Sequence, residues 1–171
     1  MNVQIETVAL HNSDKSVFPL EVVHTSTRHG TVIIPVMAEQ GMGSLMLVEQ
    51  NRPAVNRRSV EFPRGSTTNL SAEEATRELL GETGVANNQI LNLFSVGTLH
   101  PDTGLLSTKV QVYIALLDNS ALTHEFQNPD ENNLKTRIVP MDEARRLLAR
   151  SGCAISLAAY ALAEEVLDEL Y

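Results

Sequence analysis

The chain has 171 residues, 43% of them hydrophobic, and a formal net charge of -8. This length suffices for one sizeable hydrophobic core and is too short for two ordinary domains. The negative charge leaves no excess positive field to attract a phosphate backbone, which disfavours nonspecific nucleic-acid binding. It does not exclude a small phosphate-bearing substrate, because a bound metal ion can supply the positive charge.

The chain carries one cysteine and no targeting or membrane signal. Cys153 cannot form an internal disulfide, and its place in an apolar C-terminal pattern favours a buried, inert thiol over a nucleophile. The first ten residues, MNVQIETVAL, lack a basic start followed by an apolar run. No window approaches the roughly 18 consecutive apolar residues of a membrane span. We therefore expect a soluble, cytoplasmic protein without a membrane partner.

The first predicted element is an antiparallel hairpin. Apolar residues alternate over Val3–Leu10 and again over Val17–Val23, and the polar stretch HNSDKS separates the two runs. A hairpin of this kind is marginally stable alone. We therefore treat residues 1–28 as an N-terminal extension and residues 29–171 as the main domain.

Two further strands are predicted around a glycine-containing turn. They comprise TVIIPVMAEQ, beginning at Thr31, and LMLVEQN, with Gly41 and Gly43 in the turn GMGS between them. Pro35 in the first strand indicates an edge strand or a bulge, because proline cannot donate to a central ladder. A short strand over Ser59–Phe62 then leads into PRGSTTNL, which is predicted to be a loop.

The next element is a helix with clear signals at both ends. Ser71 followed three residues later by Glu74 is a capping box, which satisfies free backbone donors at a helix start. Gly84 suits the left-handed conformation that commonly ends a helix.

The rest of the chain predicts strands followed by helices. The strands are ILNLFSVGTL, KVQVYIALL and LKTRIVP, with the loop HPDTGLLS between the first two. Two amphipathic helices close the chain, MDEARRLLAR and residues 156–170. Because strands and helices do not alternate regularly, the fold class is predicted to be α+β.

Two carboxylates of the first helix suggest a metal site. Glu78 and Glu82 are four residues apart and therefore share one helix face. Beside a glycine loop they offer the hard oxygen ligands that Mg²⁺ prefers, and they leave coordination positions for water and a substrate phosphate. Arg77, on an adjacent face, is placed to brace the preceding loop. The alternative is that both acids are simply solvated.

The stretch from Gly65 to Val85 resembles the Nudix box of the Nudix hydrolase superfamily. The pattern departs from that box in two places, because the segment between its glycine and arginine is two residues short, and because Gly81 stands where the box has the first of two adjacent glutamates. The residues that fit the box are Gly65, Arg77, Glu78, Leu79, Glu82, Gly84 and Val85.

The resemblance extends to the ADP-ribose pyrophosphatase branch of the superfamily. The segment EQNRPAVNRRSVEFPRG is similar to the stretch before the box in that branch, through Gln50, Arg52, Arg57, Glu61, Pro63 and Gly65. The segment LHPDTGLLSTKVQVYIA is similar to the substrate loop of the branch, through Pro101 and Gly104. The resemblance implies the Nudix fold, with a mixed sheet sandwiched between helices.

The resemblance also implies the residues of the site. It places a cation, Mg²⁺ or Mn²⁺, on Glu78, Glu82 and the backbone carbonyl of Arg64, and it gives catalytic roles to Glu78, Glu82 and Arg77. In addition, Arg52, Arg57 and Arg58 form a basic cluster in an acidic protein, and we expect them to bind the diphosphate or adenine portion of the substrate. We also expect His100 and Gly104 of the substrate loop to contact the substrate, His100 at a base or ribose. The alternatives are that the arginines belong to a solvated loop and that the histidine has no role.

Three acids of the resembled pattern have no counterpart: the glutamate of the shortened segment, the one replaced by Gly81, and one in a later loop. The branch often uses a further glutamate to orient or deprotonate the attacking water, whereas the matching region GLLSTKV offers Ser107 and Thr108. Losing a positioned base typically costs about 10² to 10⁴ in rate. Glu73, Glu74 and Asp102 are candidate substitutes, although the two glutamates also suit structural roles at the helix start.

Two functions therefore compete. The first is a slow, metal-dependent hydrolase that cleaves a nucleoside diphosphate linked to another group, of the ADP-ribose or ADP-sugar type. The second is a catalytically inactive Nudix-fold module that binds a nucleotide or a protein. The resemblance further implies a homodimer, in which the N-terminal hairpin packs across the two-fold interface.

Overall fold

The computed structural model describes residues 3–11, 17–25, 29–37, 43–123, 126–128 and 134–170. The turn predicted at Gly41 lies outside this part of the chain. The described residues form these strands and α-helices: β1 (Val3–His11), β2 (Val17–Thr25), β3 (His29–Met37), β4 (Ser44–Arg52), β5 (Arg57–Glu61), β6 (Arg64–Thr67), α1 (Ala72–Thr83), β7 (Ile90–Leu99), β8 (Lys109–Leu117), β9 (Gln127–Asn128), β10 (Leu134–Pro140), α2 (Met141–Ser151) and α3 (Ala154–Glu169).

The main sheet is mixed, which confirms the predicted α+β class. Its strand order is β7-β8-β3-β4-β10-β9, while β5 pairs with β4 and β6 pairs with β3. Strand β3 runs parallel to β8, and the other pairs in this sheet are antiparallel. The predicted hairpin is confirmed as a separate two-stranded sheet of β1 and β2.

Pro35 lies in a central strand, so the prediction of an edge strand or a bulge is wrong. Strand β3 pairs with β6 through Val32 and with β4 from Val36 onward, which leaves a gap between the two ladders. The backbone N–H of Ile33 donates to Pro63 on this side of the strand. Since Pro35 is two residues further on, its nitrogen faces the same side and falls in the gap, where no ladder bond is lost.

The segment predicted to be a loop, PRGSTTNL, contains strand β6. Its residues pair antiparallel with the start of β3, with Gly65 opposite Thr31 and Thr67 opposite His29. The pairing joins residues far apart in sequence, which a local pattern of polar residues does not reveal. Strand β6 matters for function because it carries the residues that α1 contacts.

Helices cover both faces of the main sheet. Ala75 and Leu79 of α1 pack with Ile33 of β3 in one core cluster. Ala144 of α2 and Ala159 of α3 belong to the second cluster, on the opposite face. The predicted sandwich of a mixed sheet between helices is therefore confirmed, and we call its two sides the α1 face and the α3 face.

The predicted cap residues of α1 are confirmed at both ends, but the capping box is only half formed, because the backbone N–H of Ser71 donates to Asn69 rather than to Glu74. The Ser71 hydroxyl accepts a hydrogen bond from the backbone N–H of Glu74 at 3.3 Å, and Gly84 adopts a left-handed φ of 68°. A side chain at Gly84 would also collide with the ring of Phe126. These caps fix where α1 begins and ends, and hence which residues it directs at the sheet.

The hairpin is attached to the loop between β7 and β8. The backbone N–H of Val23 donates to Leu105 at 2.7 Å, and the N–H of Ser107 donates to Val23 at 3.3 Å. The ring of His24 hydrogen bonds to the Ser107 hydroxyl at 2.7 Å and to Glu6 at 3.0 Å. The hairpin therefore helps to position the predicted substrate loop. Within the described chain, no helix has the length and apolar character needed to span a membrane.

Candidate active site

Glu78 and Glu82 of α1 reach two adjacent residues of β6. Oε2 of Glu82 accepts a hydrogen bond from the backbone N–H of Arg64 at 3.0 Å, and Glu82 is buried. The carboxylate of Glu78 lies against Gly65, so closely that a Cβ at Gly65 would overlap it. A side chain at Gly65 would therefore displace the Glu78 carboxylate from this position, and both acids meet the start of β6.

The backbone of Arg64 presents its polar groups to α1 rather than to β3. Its N–H bonds to Glu82, and the neighbouring ladder bond runs from the N–H of Ile33 to the carbonyl of Pro63. In an antiparallel pair the N–H and C=O of one residue point to the same side. The Arg64 carbonyl therefore faces the same side as Glu82, as the predicted metal set requires.

At the end of β5, Glu61 holds two arginines together. Arg52 forms a bidentate pair with Glu61, with distances of 3.0 and 2.7 Å, and Nε of Arg64 donates to the same carboxylate at 2.7 Å. Burial alone would raise the pKa of Glu61, which is 2% exposed, but the hydrogen bond of Arg52, the charge and hydrogen bond of Arg64 and a hydrogen bond of Ser59 lower it to about 2. Glu61 is therefore a fixed anion that orients both guanidinium groups.

Arg52 links this cluster to the acids of α1. Burial alone would lower the pKa of Arg52, yet the hydrogen bond and charge of Glu61, together with the charge of Glu82, raise it above its ordinary value. The guanidinium thus remains charged between two carboxylates.

Two adjoining cavities open beside the arginines. The first has a volume of about 470 Å³, and the second of about 370 Å³. Arg52 and Arg64 line both of them. The first is walled mainly by apolar side chains, among them Val55 and Leu99, whereas the second includes the hydroxyl residues Thr25, Thr31, Ser66 and Thr108.

The predicted substrate-binding residues are only partly brought together. Arg57 lines the first cavity and donates to the backbone carbonyl of Ser151, and His100 lines the same cavity. Arg58 pairs with Glu49 at 2.7 Å on the surface and lines neither of these two cavities, but it lines a third, more open cavity of about 490 Å³ together with Arg52 and Arg57. Gly104 also lies outside both.

The candidate substitutes for the missing base are engaged elsewhere. The carboxylate of Asp102 accepts hydrogen bonds from the backbone N–H groups of Gly104 at 2.8 Å and Leu105 at 3.0 Å, which stabilises its own loop. Hydrogen bonds from its own backbone N–H and from Ser71 hold the pKa of Glu73 below its usual range. Glu74 accepts from Arg77 at 2.9 Å.

Arg77 lies on the exposed side of α1. Its guanidinium donates to Glu78 and to Glu74, and these hydrogen bonds and charges raise its pKa above the ordinary value. It lines neither cavity. The geometry therefore places Arg77 as a partner that orients Glu78 rather than one that touches a substrate in either cavity.

The side chain of Arg64 and the charge cluster around Glu61 were not predicted as parts of the site. The sequence matched Glu61 to the resembled branch without giving it a role. A sequence signal existed, since an acid interrupts the apolar pattern VEF between arginines. Cys153 was predicted to be buried, yet it is half-buried and lines the first cavity.

The α1 face supplies a partial donor set for a hard cation. Glu78 and Glu82 meet the start of β6, and the Arg64 carbonyl points to the same side as Glu82. Oxygen donors of this kind suit Mg²⁺ or Mn²⁺. Within the described residues, no group of three His, Cys, Asp or Glu side chains is placed to hold a metal ion. Gly81 leaves the third position open, because a Cβ there would meet nothing within 4 Å. The donors present fit one cation with water and substrate completing its shell.

Comparison with known proteins supports the fold. No protein-family model matches the chain, and no curated protein matches it. Among solved structures, an ADP compounds hydrolase superposes with a TM-score of 0.68, covering 99% of this chain and 93% of that chain at 20% sequence identity. At this identity the likeness shows the fold alone. The predicted Nudix fold is thereby confirmed.

Proposed function

We propose that the protein is a metal-dependent hydrolase of the Nudix type that cleaves a nucleoside diphosphate linked to another group, of the ADP-ribose or ADP-sugar type. One observation carries the proposal: Glu78 and Glu82 meet Arg64 and Gly65 from one side, while the guanidinium of Arg64 lines two cavities. A diphosphate held by the arginines would therefore lie next to the part of β6 that the two carboxylates contact. The structural neighbour is a hydrolase of ADP compounds, and its substrate class agrees with this proposal.

The charge of the first cavity favours an anionic ligand. Arg52, Arg57 and Arg64 carry three positive charges and Glu61 carries one negative charge, which leaves a formal excess of two positive charges in a protein of net charge -8. Planar guanidinium groups bind phosphate oxygens in bidentate fashion. Because Glu61 already orients two of them, they lose little freedom when a diphosphate binds.

Each acid has a defined part in this proposal. Glu78, Glu82 and the Arg64 carbonyl would hold Mg²⁺ or Mn²⁺, which supplies positive charge to the diphosphate and lowers the pKa of a bound water. Arg77 orients Glu78 through their hydrogen bond. Because Asp102 is engaged in its own loop and Glu74 in its contact with Arg77, neither acid is a free general base, and we expect slow turnover.

A second function, nucleotide binding without turnover, is favoured by one specific observation. The position of Gly81 opens to solvent, and the side chains in the matching substrate region are Ser107 and Thr108 rather than an acid. The arginine cluster would serve such a module equally well, because it needs no cation.

A hydrolysis screen separates the two functions. The protein is incubated with ADP-ribose, other nucleotide sugars and dinucleotides in the presence of Mg²⁺ or Mn²⁺, and release of nucleoside monophosphate is measured. We expect slow hydrolysis that Glu82→Gln abolishes, since glutamine still accepts the Arg64 hydrogen bond but cannot supply the charge. Binding of ADP-ribose without release of products by the wild type would favour the module.

We also propose that the protein is a homodimer. The hairpin presents exposed apolar side chains, including Val3, Ile5 and Val17 at 55–62% exposure. Covering such side chains with a second copy would remove them from water. We expect a dimer mass at micromolar concentration in light scattering and weaker association after removal of residues 1–28. A monomer mass for the full chain would contradict the proposal.

A further inference from the structure

Three buried polar groups without a hydrogen-bond partner lie close together in the described part of the chain. They are Nδ1 of His29, Oγ1 of Thr31 and Oγ1 of Thr67, and we call them the orphan row. Thr31 and Thr67 are each 2% exposed. A buried polar group left unsatisfied bears its full desolvation penalty, with no hydrogen bond to offset it. Three such groups in one place therefore indicate a polar ligand that the chain itself does not supply.

Strand geometry places the orphan row on the α1 face. Ile33 packs against α1, and alternate residues of a strand point to the same face, so Thr31 and His29 face α1 as well. In the pairing of β3 with β6, Gly65 lies opposite Thr31, and Thr67 lies opposite His29. The three groups thus occupy neighbouring positions of two paired strands.

The orphan row adjoins the Glu78 carboxylate. A Cβ at Gly65 would overlap that carboxylate, although the two positions do not coincide. Directly opposed Cβ atoms on one face of an antiparallel pair are about 5 Å apart. The carboxylate therefore lies within about 7 Å of the Thr31 Cβ, close enough for the carboxylate and the hydroxyl to contact one hydrated ligand.

We propose that the orphan row completes the cation site from the side of the sheet, by hydrogen bonding to the water molecules of a hydrated divalent cation held by Glu78. This inference rests on the proposed function. Mg²⁺ and Mn²⁺ keep several waters when only one or two carboxylates bind them. Hydroxyl and neutral imidazole groups can accept hydrogen bonds from those waters.

The orphan row thereby positions waters of the cation that the absent acid would otherwise help to hold. A side chain at Gly81 would enter open space on the exposed side of α1, whereas the row approaches Glu78 from the opposite, buried side. Neutral groups add no charge, so they position water without binding the cation tightly by themselves. The site is therefore one in which the sheet supplies the outer contacts that the helix lacks.

Threonine-to-valine variants test the proposal, because valine has nearly the same shape and lacks the hydroxyl. The affinity for Mn²⁺ alone is measured by calorimetry for the wild type, Thr31→Val, Thr67→Val and Glu78→Gln. Loss of an outer contact to a bound metal typically costs about 10- to 100-fold in affinity. We expect about a tenfold loss for Thr31→Val, a smaller loss for Thr67→Val, which is one pair further from Gly65, and complete loss for Glu78→Gln.

Melting temperature provides the control for folding. Both valine variants remove a buried hydroxyl without a partner, so neither should lower the melting temperature. Thr98→Val, whose hydroxyl bonds to Gln111 at the surface, should leave Mn²⁺ affinity unchanged. Unchanged Mn²⁺ affinity in Thr31→Val, with binding lost in Glu78→Gln, overturns the role of the row alone. Failure of the wild type to bind Mn²⁺ overturns the cation site of the proposed function as well.

Discussion

Two regions beside β6 differ in how completely their polar groups are paired. Glu61 binds Arg52 and Arg64 with three hydrogen bonds, and we call this cluster the arginine side. On the α1 face, the side-chain hydroxyls of Thr31 and Thr67 are buried without hydrogen-bond partners near Glu78. The arginine side is thus organised by contacts within the chain, whereas these hydroxyls of the α1 side are not. Because Thr31, Arg52 and Arg64 all line the second cavity, substitutions in the two regions test neighbouring parts of one site.

Glu61→Gln should disrupt the arginine side and give the largest loss in the free energy of unfolding. It leaves two neighbouring guanidinium groups without their counter-charge in a buried position. Removing one partner of a buried ion pair costs about 3–5 kcal/mol. Because the arginines are partly exposed, at 27% and 28%, we expect the lower end of that range, about 3 kcal/mol. Urea denaturation of both proteins at neutral pH measures the difference.

The same contact predicts a pH dependence. The pKa of Glu61 is about 2 in the folded protein, below the value of about 4.3 in an unfolded chain. A group with a lowered folded pKa stabilises the fold above its unfolded pKa, and this contribution is lost as the pH falls towards the folded pKa. The stability difference between wild type and Glu61→Gln should therefore shrink between about pH 4.3 and pH 2. A difference independent of pH in this range would contradict the assigned pairing.

Arg57 and Arg58 offer a sharper test of the arginine side, because they are adjacent and chemically identical. Arg57 lines the first cavity, whereas Arg58 pairs with Glu49 at the surface. A hydrogen bond to a charged group contributes about 1.5–3 kcal/mol. We expect Arg57→Ala to weaken ADP-ribose binding at least tenfold and Arg58→Ala to change it less than twofold, as measured by calorimetry. Equal losses would show that the surface loop, not the cavity, binds the ligand.

The same pair of arginines shows what the sequence could and could not predict. The helix caps at Ser71 and Gly84 and the shared face of Glu78 and Glu82 depend on local spacing, so the sequence predicted them. The separation of Arg57 from Arg58 depends on the pleat of β5 and on the cavity beside it. Adjacent residues of a strand point to opposite faces, but which face meets a cavity is decided by tertiary packing.

Long-range pairing explains the remaining differences. Strand β6 was predicted to be a loop because its partner, β3, lies about thirty residues earlier in the chain, and a short polar strand carries no local signal. The cluster of Arg52, Glu61 and Arg64 requires β4 and β5 to pair, which brings residues nine apart into contact. Neither contact can be derived from periodicity alone.

Gly81→Ala, on the α1 side, should have the smallest effect on the free energy of unfolding. A Cβ at Gly81 would meet nothing within 4 Å, so Gly81→Ala should stabilise the fold without a clash. Glycine costs about 1 kcal/mol of helix propensity relative to alanine. We expect a gain of up to about 1 kcal/mol in the free energy of unfolding, with unchanged Mn²⁺ affinity. A loss of stability would contradict the open position.

Gly81→Glu tests whether a missing negative charge on the α1 side is what limits cation binding and hydrolysis. Gly81 is three residues after Glu78, so a carboxylate there projects about 60° away around the helix and can approach the same cation. Repulsion from Glu78 should offset part of the gain in helix propensity, while Arg77, four residues earlier, should attract the new charge. We expect tighter Mn²⁺ binding and faster hydrolysis of ADP-ribose. Tighter Mn²⁺ binding without hydrolysis would show that the missing base, not the cation, limits turnover, and this result would favour the binding module. Unchanged Mn²⁺ binding without hydrolysis would mean that Glu78 and Glu82 do not form a cation site.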